Sequence, residues 1–256
     1  MDTKQKKQFV CLSGLPRTGS TLLSSILNQN PKIHAEGNSA VCQLMWDSYI
    51  SCSINCAEQI LANKREKTVF DIISSIPSLY YKDISDEKTI IVDKSRSWTI
   101  ETNVQILQAF IDNNIKIIVL ERPLEEVVKS FAKLFKENEK DFNALQFLKP
   151  MSEPIMRSLS GISWAKKNNE KNTFLFIKYK ELVENPQNVM EKIYKFCLWE
   201  PFQHSFENLE VKYPENDEVY KLNGLHSIRD KIGFKENNIQ LSQEVIDICT
   251  LLNKEY

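Results

Sequence analysis

Short, continuously apolar runs alternate along this chain with longer stretches whose apolar positions recur every three or four residues. The runs predict strands at roughly 8–13, 32–35, 89–93, 116–121 and 173–178. Helical spacing marks 20–29, 40–50, 67–80, 99–113, 123–136, 155–169 and 186–197, with a last helix over 241–253. Thr89-Ile90-Ile91-Val92 and Lys116-Ile117-Ile118-Val119-Leu120 do not alternate, as expected of a sheet covered on both faces. Strands separated by helices imply parallel βαβ units, so the expected class is α/β with a central, mainly parallel sheet flanked by helices in three layers. The stretch 200–239 loses periodicity and gains Asn, Pro and Gly; it reads as loops with short helices inside one domain spanning 1–256.

The first strand breaks into Ser13-Gly14-Leu15-Pro16-Arg17-Thr18-Gly19-Ser20-Thr21, and an apolar helical pattern follows at once. Strand, glycine-bounded turn and helix start form an anion cradle, because curled backbone and unsatisfied first-turn amides direct N–H groups at one point. The spacing is that of a Walker A loop, G-x-x-x-x-G-K-[ST], which makes the expected fold P-loop NTPase-like. Ser20 stands where that motif has lysine, and the positive charge moves to Arg17.

Composition narrows the choice of partner. The formal net charge is −1, so no global field favours nucleic acid, and any anion site must be local. No apolar run approaches the roughly 20 residues of a membrane span. The N-terminus is basic, without a hydrophobic signal region, and the expected location is cytoplasmic. Six scattered cysteines read as reduced, partly buried thiols; Cys52 and Cys56 lie one helical turn apart, but no second pair completes a metal set, and no metal is expected.

In open parallel sheets, ligands bind beyond the carboxyl ends of the strands. There the third strand ends in Asp93-Lys94-Ser95-Arg96-Ser97-Trp98 and the fourth in Glu121-Arg122-Pro123, with Pro123 placed to open the next helix. Three strand ends thus bring Arg17, Lys94, Arg96 and Arg122 to one edge, which argues for a ligand with several negative charges. Ser130 lies eight residues after Arg122, about two helical turns, where a guanidinium fork and a hydroxyl could share one phosphate.

Arg122 through Phe131 resembles the 3′-phosphate motif of the sulfotransferases, and the Leu15–Thr21 loop resembles their 5′-phosphosulfate loop. Val92-Asp93-Lys94-Ser95-Arg96-Ser97-Trp98 is similar to a segment of the bacterial and tyrosylprotein-type branch, where the lysine faces the transferring group. The resemblance implies 3′-phosphoadenosine 5′-phosphosulfate (PAPS) as donor and adenosine 3′,5′-bisphosphate as product. It implies that Arg17, Thr18, Gly19, Ser20 and Thr21 hold the 5′-phosphosulfate, that Arg122 and Ser130 hold the 3′-phosphate, and that Lys94 neutralises charge developing at the sulfuryl group. Arg229 and Lys231 look like a closing loop over the nucleotide, although the Arg-Lys-Gly spelling of that loop is missing. The acceptor, a hydroxyl or an amine, must lose a proton. Glu36 is the first candidate base and His34 the second; Glu36 could equally serve only a helix start.

A phosphosulfate carries less charge than a triphosphate, which is why a lysine-free loop without a metal could suffice. Two rivals remain: a magnesium- and ATP-dependent small-molecule kinase, for which Asp93 could imitate the metal-binding carboxylate, and a non-catalytic nucleotide-binding scaffold. Tyr179 could line the site or simply pack, and His204, without a companion, reads as structural or exposed.

Overall fold

The computed structural model describes residues 7–149, 153–233 and 237–255; the basic stretch 1–6 lies outside them. Strands β1 (Gln8–Gly14), β2 (Ile33–Asn38), β3 (Ile90–Lys94), β4 (Lys116–Glu121) and β5 (Phe174–Lys178) pair in the order β2-β3-β1-β4-β5. Every pairing is parallel. Alternate residues of these strands enter two separate cores, which is what their unbroken apolar character predicts. Cys11, Ile91, Ile117 and Val119 face one core, which includes residues of α2 (Val41–Ile50), α4 (Glu66–Tyr80), α5 (Glu101–Phe110), α6 (Leu124–Glu137) and α8 (Glu153–Lys167). Val10, Leu12, Val92, Ile118 and Leu120 face the other, shared with α1 (Ser20–Leu27), α9 (Tyr179–Glu184) and α10 (Pro186–Cys197). The result is a three-layer α/β fold; α3 (Ala57–Ala62), α7 (Ala144–Phe147) and α11 (Gln243–Glu255) complete the α-helices among the described residues.

Strand β1 lies between β3 on one side and β4 on the other, so its carboxyl end falls where the strand order reverses. That crevice is the standard ligand position of an open parallel sheet. Two local features shape it. Gly14 has φ +142°, and a Cβ there would stand 2.4 Å from the Leu120 carbonyl oxygen, so only glycine lets β1 leave the sheet beside β4. The register between β2 and β3 shifts between Ala35 and Asn38, a bulge that re-aims Glu36 and Gly37 at the edge of the site.

Pro123 is the residue flanking α6 rather than its first helical residue: φ −52° and ψ 133° keep it extended while its carbonyl accepts from Glu126 and Val127. Between α10 and α11 the described residues hold only a short 3₁₀ turn, Asp217–Tyr220, and the loops there return across the carboxyl edge of the sheet.

Candidate active site

A cavity of about 630 Å³ opens at the end of β1, lined by the Gly14–Thr21 loop, the ends of β3 and β4, one face of α6 and the returning segment 220–233. The loop is held by its own chemistry. Gly19 takes φ +89° and caps α1, while the Thr18 hydroxyl donates to the Leu15 carbonyl at 2.7 Å and is buried. A Cβ on Gly19 would sit 2.8 Å from the Tyr179 ring. Arg17 itself is left-handed, φ 62°, which turns its side chain away from the sheet and towards α6.

There Arg17 Nε donates to Ser130 Oγ at 3.1 Å, and its Nη1 donates to the Leu225 carbonyl. Arg122 lies on the Tyr179 ring, 4.3 Å from its centroid, and donates to the Arg17 carbonyl at 2.8 Å and to Glu126 at 3.0 Å. Ser130 is therefore partnered by Arg17 rather than by Arg122, and the two arginines are linked through the loop backbone. Burial, and then the neighbouring Arg122, push the Arg17 guanidinium below its ordinary pKa, as expected of a cation kept for an anionic ligand.

The other end of the cavity carries Lys94. Burial pushes its pKa down, and a carboxylate from the returning segment, Glu215, opposes that with an ion pair of 3.1 Å. Glu215 Oε1 also meets His226 Nε2 at 3.2 Å, and His226 Nδ1 donates to Asp217 at 2.6 Å. Glu36 lines a much smaller side cavity together with Lys94, Glu215 and His226. It is bonded to His34 at 3.0 Å; His34, 1% exposed, packs beneath the Tyr213 ring.

Arg229 and Lys231 line the main cavity, yet each is engaged by another residue of the stretch 200–233. Arg229 donates to the Gly233 carbonyl and Lys231 pairs with Glu207 at 2.6 Å. Asp93 does not reach the cavity as a metal ligand. Its two oxygens accept from the Tyr81 hydroxyl at 2.7 Å and from the Trp98 indole at 2.6 Å, and burial raises its pKa. His204 is buried against Tyr194, so of its two readings the structural one holds. Among the described residues, no group of three His, Cys, Asp or Glu side chains is placed to hold a metal ion. No helix among them is long and apolar enough to cross a membrane.

Sequence reasoning passed over Glu215 and Asp217. Both stand in the aperiodic stretch, where no strand end or helical spacing fixes a residue's place.

An α/β protein with a cationic, amide-lined cleft at the switch point of a parallel sheet is built to bind a multiply charged anion. The model of the Sulfotransferase family matches residues 10–203, and the chain belongs to that family: it is an enzyme that transfers a sulfuryl group. No curated protein matches it at the sequence level. Among solved structures it is similar to the sulfotransferase domain of the curacin biosynthetic pathway, at 18% identity and a TM-score of 0.57, over 97% of this chain and 98% of that one. The sulfotransferase domain of the Synechococcus PCC 7002 olefin synthase gives 18% and 0.53, over 97% of this chain and 96% of that one. A mouse sulfotransferase, SULT7A1, solved with PAP, gives 14% and 0.53, covering this chain completely and 86% of that one. At these identities the likeness is one of fold.

Proposed function

We propose that this chain, acting as one catalytic domain in the cytoplasm, moves the sulfuryl group of PAPS to a hydroxyl or amine and releases adenosine 3′,5′-bisphosphate. The observation that carries the reading is the convergence of Arg17, Arg122 and Ser130 on one cavity at the Gly14–Thr21 loop. In this reading the amides of Thr18, Gly19, Ser20 and Thr21 and the hydroxyls of Ser20 and Thr21, with Arg17, hold the 5′-phosphosulfate. Arg122 and Ser130 take the 3′-phosphate, for which Ser130 exchanges Arg17 for the ligand. The apolar wall of Phe131, Leu134, Phe147 and Leu225 suits a flat base, and Arg229 and Lys231 close over it. Free thiols at all six cysteines suit a reducing compartment.

Chemistry falls to the Lys94 end. As the acceptor oxygen or nitrogen attacks sulfur, the S–O bond to the phosphate breaks and its electron pair stays on the phosphate oxygen. Lys94 and Arg17 stabilise that charge as it develops. A carboxylate beside Lys94 takes the acceptor's proton; Glu36, with His34 buried behind it, is one carboxylate so placed.

Calorimetric titration with adenosine 3′,5′-bisphosphate in chelator, beside ATP with magnesium, tests the donor. Tight binding of the bisphosphate without metal is expected. A preference for magnesium–ATP would overturn the reading in favour of the kinase, and binding of neither would favour the scaffold.

A further inference from the structure

The transfer needs a proton acceptor next to the sulfur, and the position of Lys94 says where that group must be. An ammonium has three donors, so one lysine can hold a sulfuryl oxygen and a carboxylate at the same time. The carboxylate bonded to Lys94 is that of Glu215, whereas Glu36 is bonded to His34. Glu215 Oε1 accepts from Lys94 at 3.1 Å and faces His226 Nε2 at 3.2 Å; among the described residues, Oε2 has only the Tyr220 hydroxyl, at 3.5 Å. Glu215 lines the small side cavity, whose Lys94 and His226 also line the main cavity beside Tyr220, so its carboxylate stands where the two cavities adjoin.

The carboxylate is held from behind as well. Asp217 Oδ1 takes the His226 ring N–H at 2.6 Å, and its Oδ2 takes the His226 main-chain N–H at 3.2 Å. These two bonds fix the position of the imidazole and set its Nε2 against Glu215 Oε1. Room for the arrangement comes from the bulge in β2. A Cβ on Gly37 would lie 2.1 Å from the Glu215 side chain, so glycine at this point admits Glu215 to the site. Other charged or titratable groups around Glu215 are Glu36 from β2, Lys94 at the end of β3, Arg96 from the turn after it, and Tyr220.

From this geometry we infer that Glu215 Oε2 takes the proton of the acceptor, with His226 and Asp217 as its positioning residues; the assignment rests on the sulfuryl-transfer reading above. The acceptor's O–H or N–H electrons form the new bond to sulfur, the proton moves to Glu215, and the S–O electrons leave with the bisphosphate. Lys94 contacts both the group that gains the proton and the group that loses the sulfuryl, which couples the two events in one side chain.

Water is an acceptor that is always present, so sulfate release from PAPS serves as the probe, with bisphosphate affinity measured on the same samples. Glu215→Gln is expected to lower sulfate release about 10²- to 10⁴-fold and to leave bisphosphate affinity within about threefold. Gly37→Ala, whose new methyl meets a flexible side chain rather than backbone, expels the carboxylate and is expected to share the loss. Asp217→Asn should lower kcat for sulfate release about tenfold with the KM for PAPS unchanged, a split that mere loosening of the loop would not give.

Near-normal release by Glu215→Gln, or a loss confined to Glu36→Gln, overturns the assignment and returns the proton to Glu36. Loss of bisphosphate affinity in Glu215→Gln overturns it too, by making Glu215 part of the donor site. Wild-type protein that binds the bisphosphate yet releases no sulfate also counts against a base poised at Lys94. Failure of the wild type to bind the bisphosphate is a different result, since it removes the PAPS reading itself.

Discussion

Around Arg17 and Arg122 the cavity gathers guanidinium groups whose partners are mainly main-chain carbonyls, a serine hydroxyl and the face of Tyr179. Around Lys94, by contrast, nitrogen bases and carboxylates alternate through Lys94, Glu215, His226 and Asp217. The first end has spare positive charge held in place by burial, so bringing in an anionic ligand is what satisfies it. The second end is already compensated, so a ligand there gains little from charge alone, while protons and hydrogen bonds can be redistributed at small cost. One cavity thus separates holding the donor from performing the transfer, and a substitution at either end should damage one function and spare the other.

The strongest way to break that separation is Lys94→Ala. We expect sulfate release or transfer to fall about 10²- to 10³-fold, the size of losing one preorganised donor to a developing anion, with bisphosphate affinity within about threefold. Equal loss of binding and turnover would merge the two ends into one. Because burial holds the Lys94 pKa below the ordinary lysine value, its charge is lost as pH rises through that lowered value. Turnover should therefore fall on the alkaline side earlier than for an exposed lysine, and Lys94→Arg should remove that limb.

At the binding end, Arg122→Ala should weaken adenosine 3′,5′-bisphosphate about 10- to 100-fold, as loss of a charge-assisted bond predicts. Adenosine 5′-phosphate should weaken by less than about threefold. Comparing the two ligands by calorimetry isolates the 3′-phosphate; equal weakening of both would place Arg122 on the 5′ side or make it a support for the loop.

The contrast between the two ends also explains what could be read from the sequence. All five strands and the loop at the end of β1 were legible, because a sheet buried on both faces needs unbroken apolar runs and an anion cradle needs glycines at set spacing. Arg17, Arg122 and Lys94 follow directly from those strands, since a residue at a strand end has its place fixed by the sheet. Glu215 and Asp217 carry no such mark. They sit in an aperiodic segment some 120 residues after Lys94, and only tertiary folding brings that segment over β3. The partnership of Ser130 with Arg17 was equally hidden, because it depends on the left-handed turn at Arg17, a conformation unusual for any residue but glycine.

Gly19→Ala tests whether the loop conformation itself maintains the binding end. At φ +89° an alanine is strained, and its methyl would press on Tyr179, the ring beneath Arg122. We expect a stability loss of about 1–2 kcal/mol by chemical denaturation, accompanied by weaker bisphosphate binding. Unchanged affinity would mean that Arg122 keeps its place without that ring.

The smallest effect should come from Glu126→Gln, and it bears most directly on the idea of spare charge. Glu126 pairs with Arg122 at 3.0 Å, and its side chain is 40% exposed, so solvent screens the interaction and its contribution is of the order of 0.2–1 kcal/mol. Removing the carboxylate makes the binding end more positive without touching the loop or Lys94. Bisphosphate affinity should rise about twofold, the gain should shrink in high salt, and sulfate release at saturating donor should stay as it was. A fall in affinity instead would show that Glu126 aims the guanidinium, so that the position of Arg122, rather than its charge, limits binding at this end.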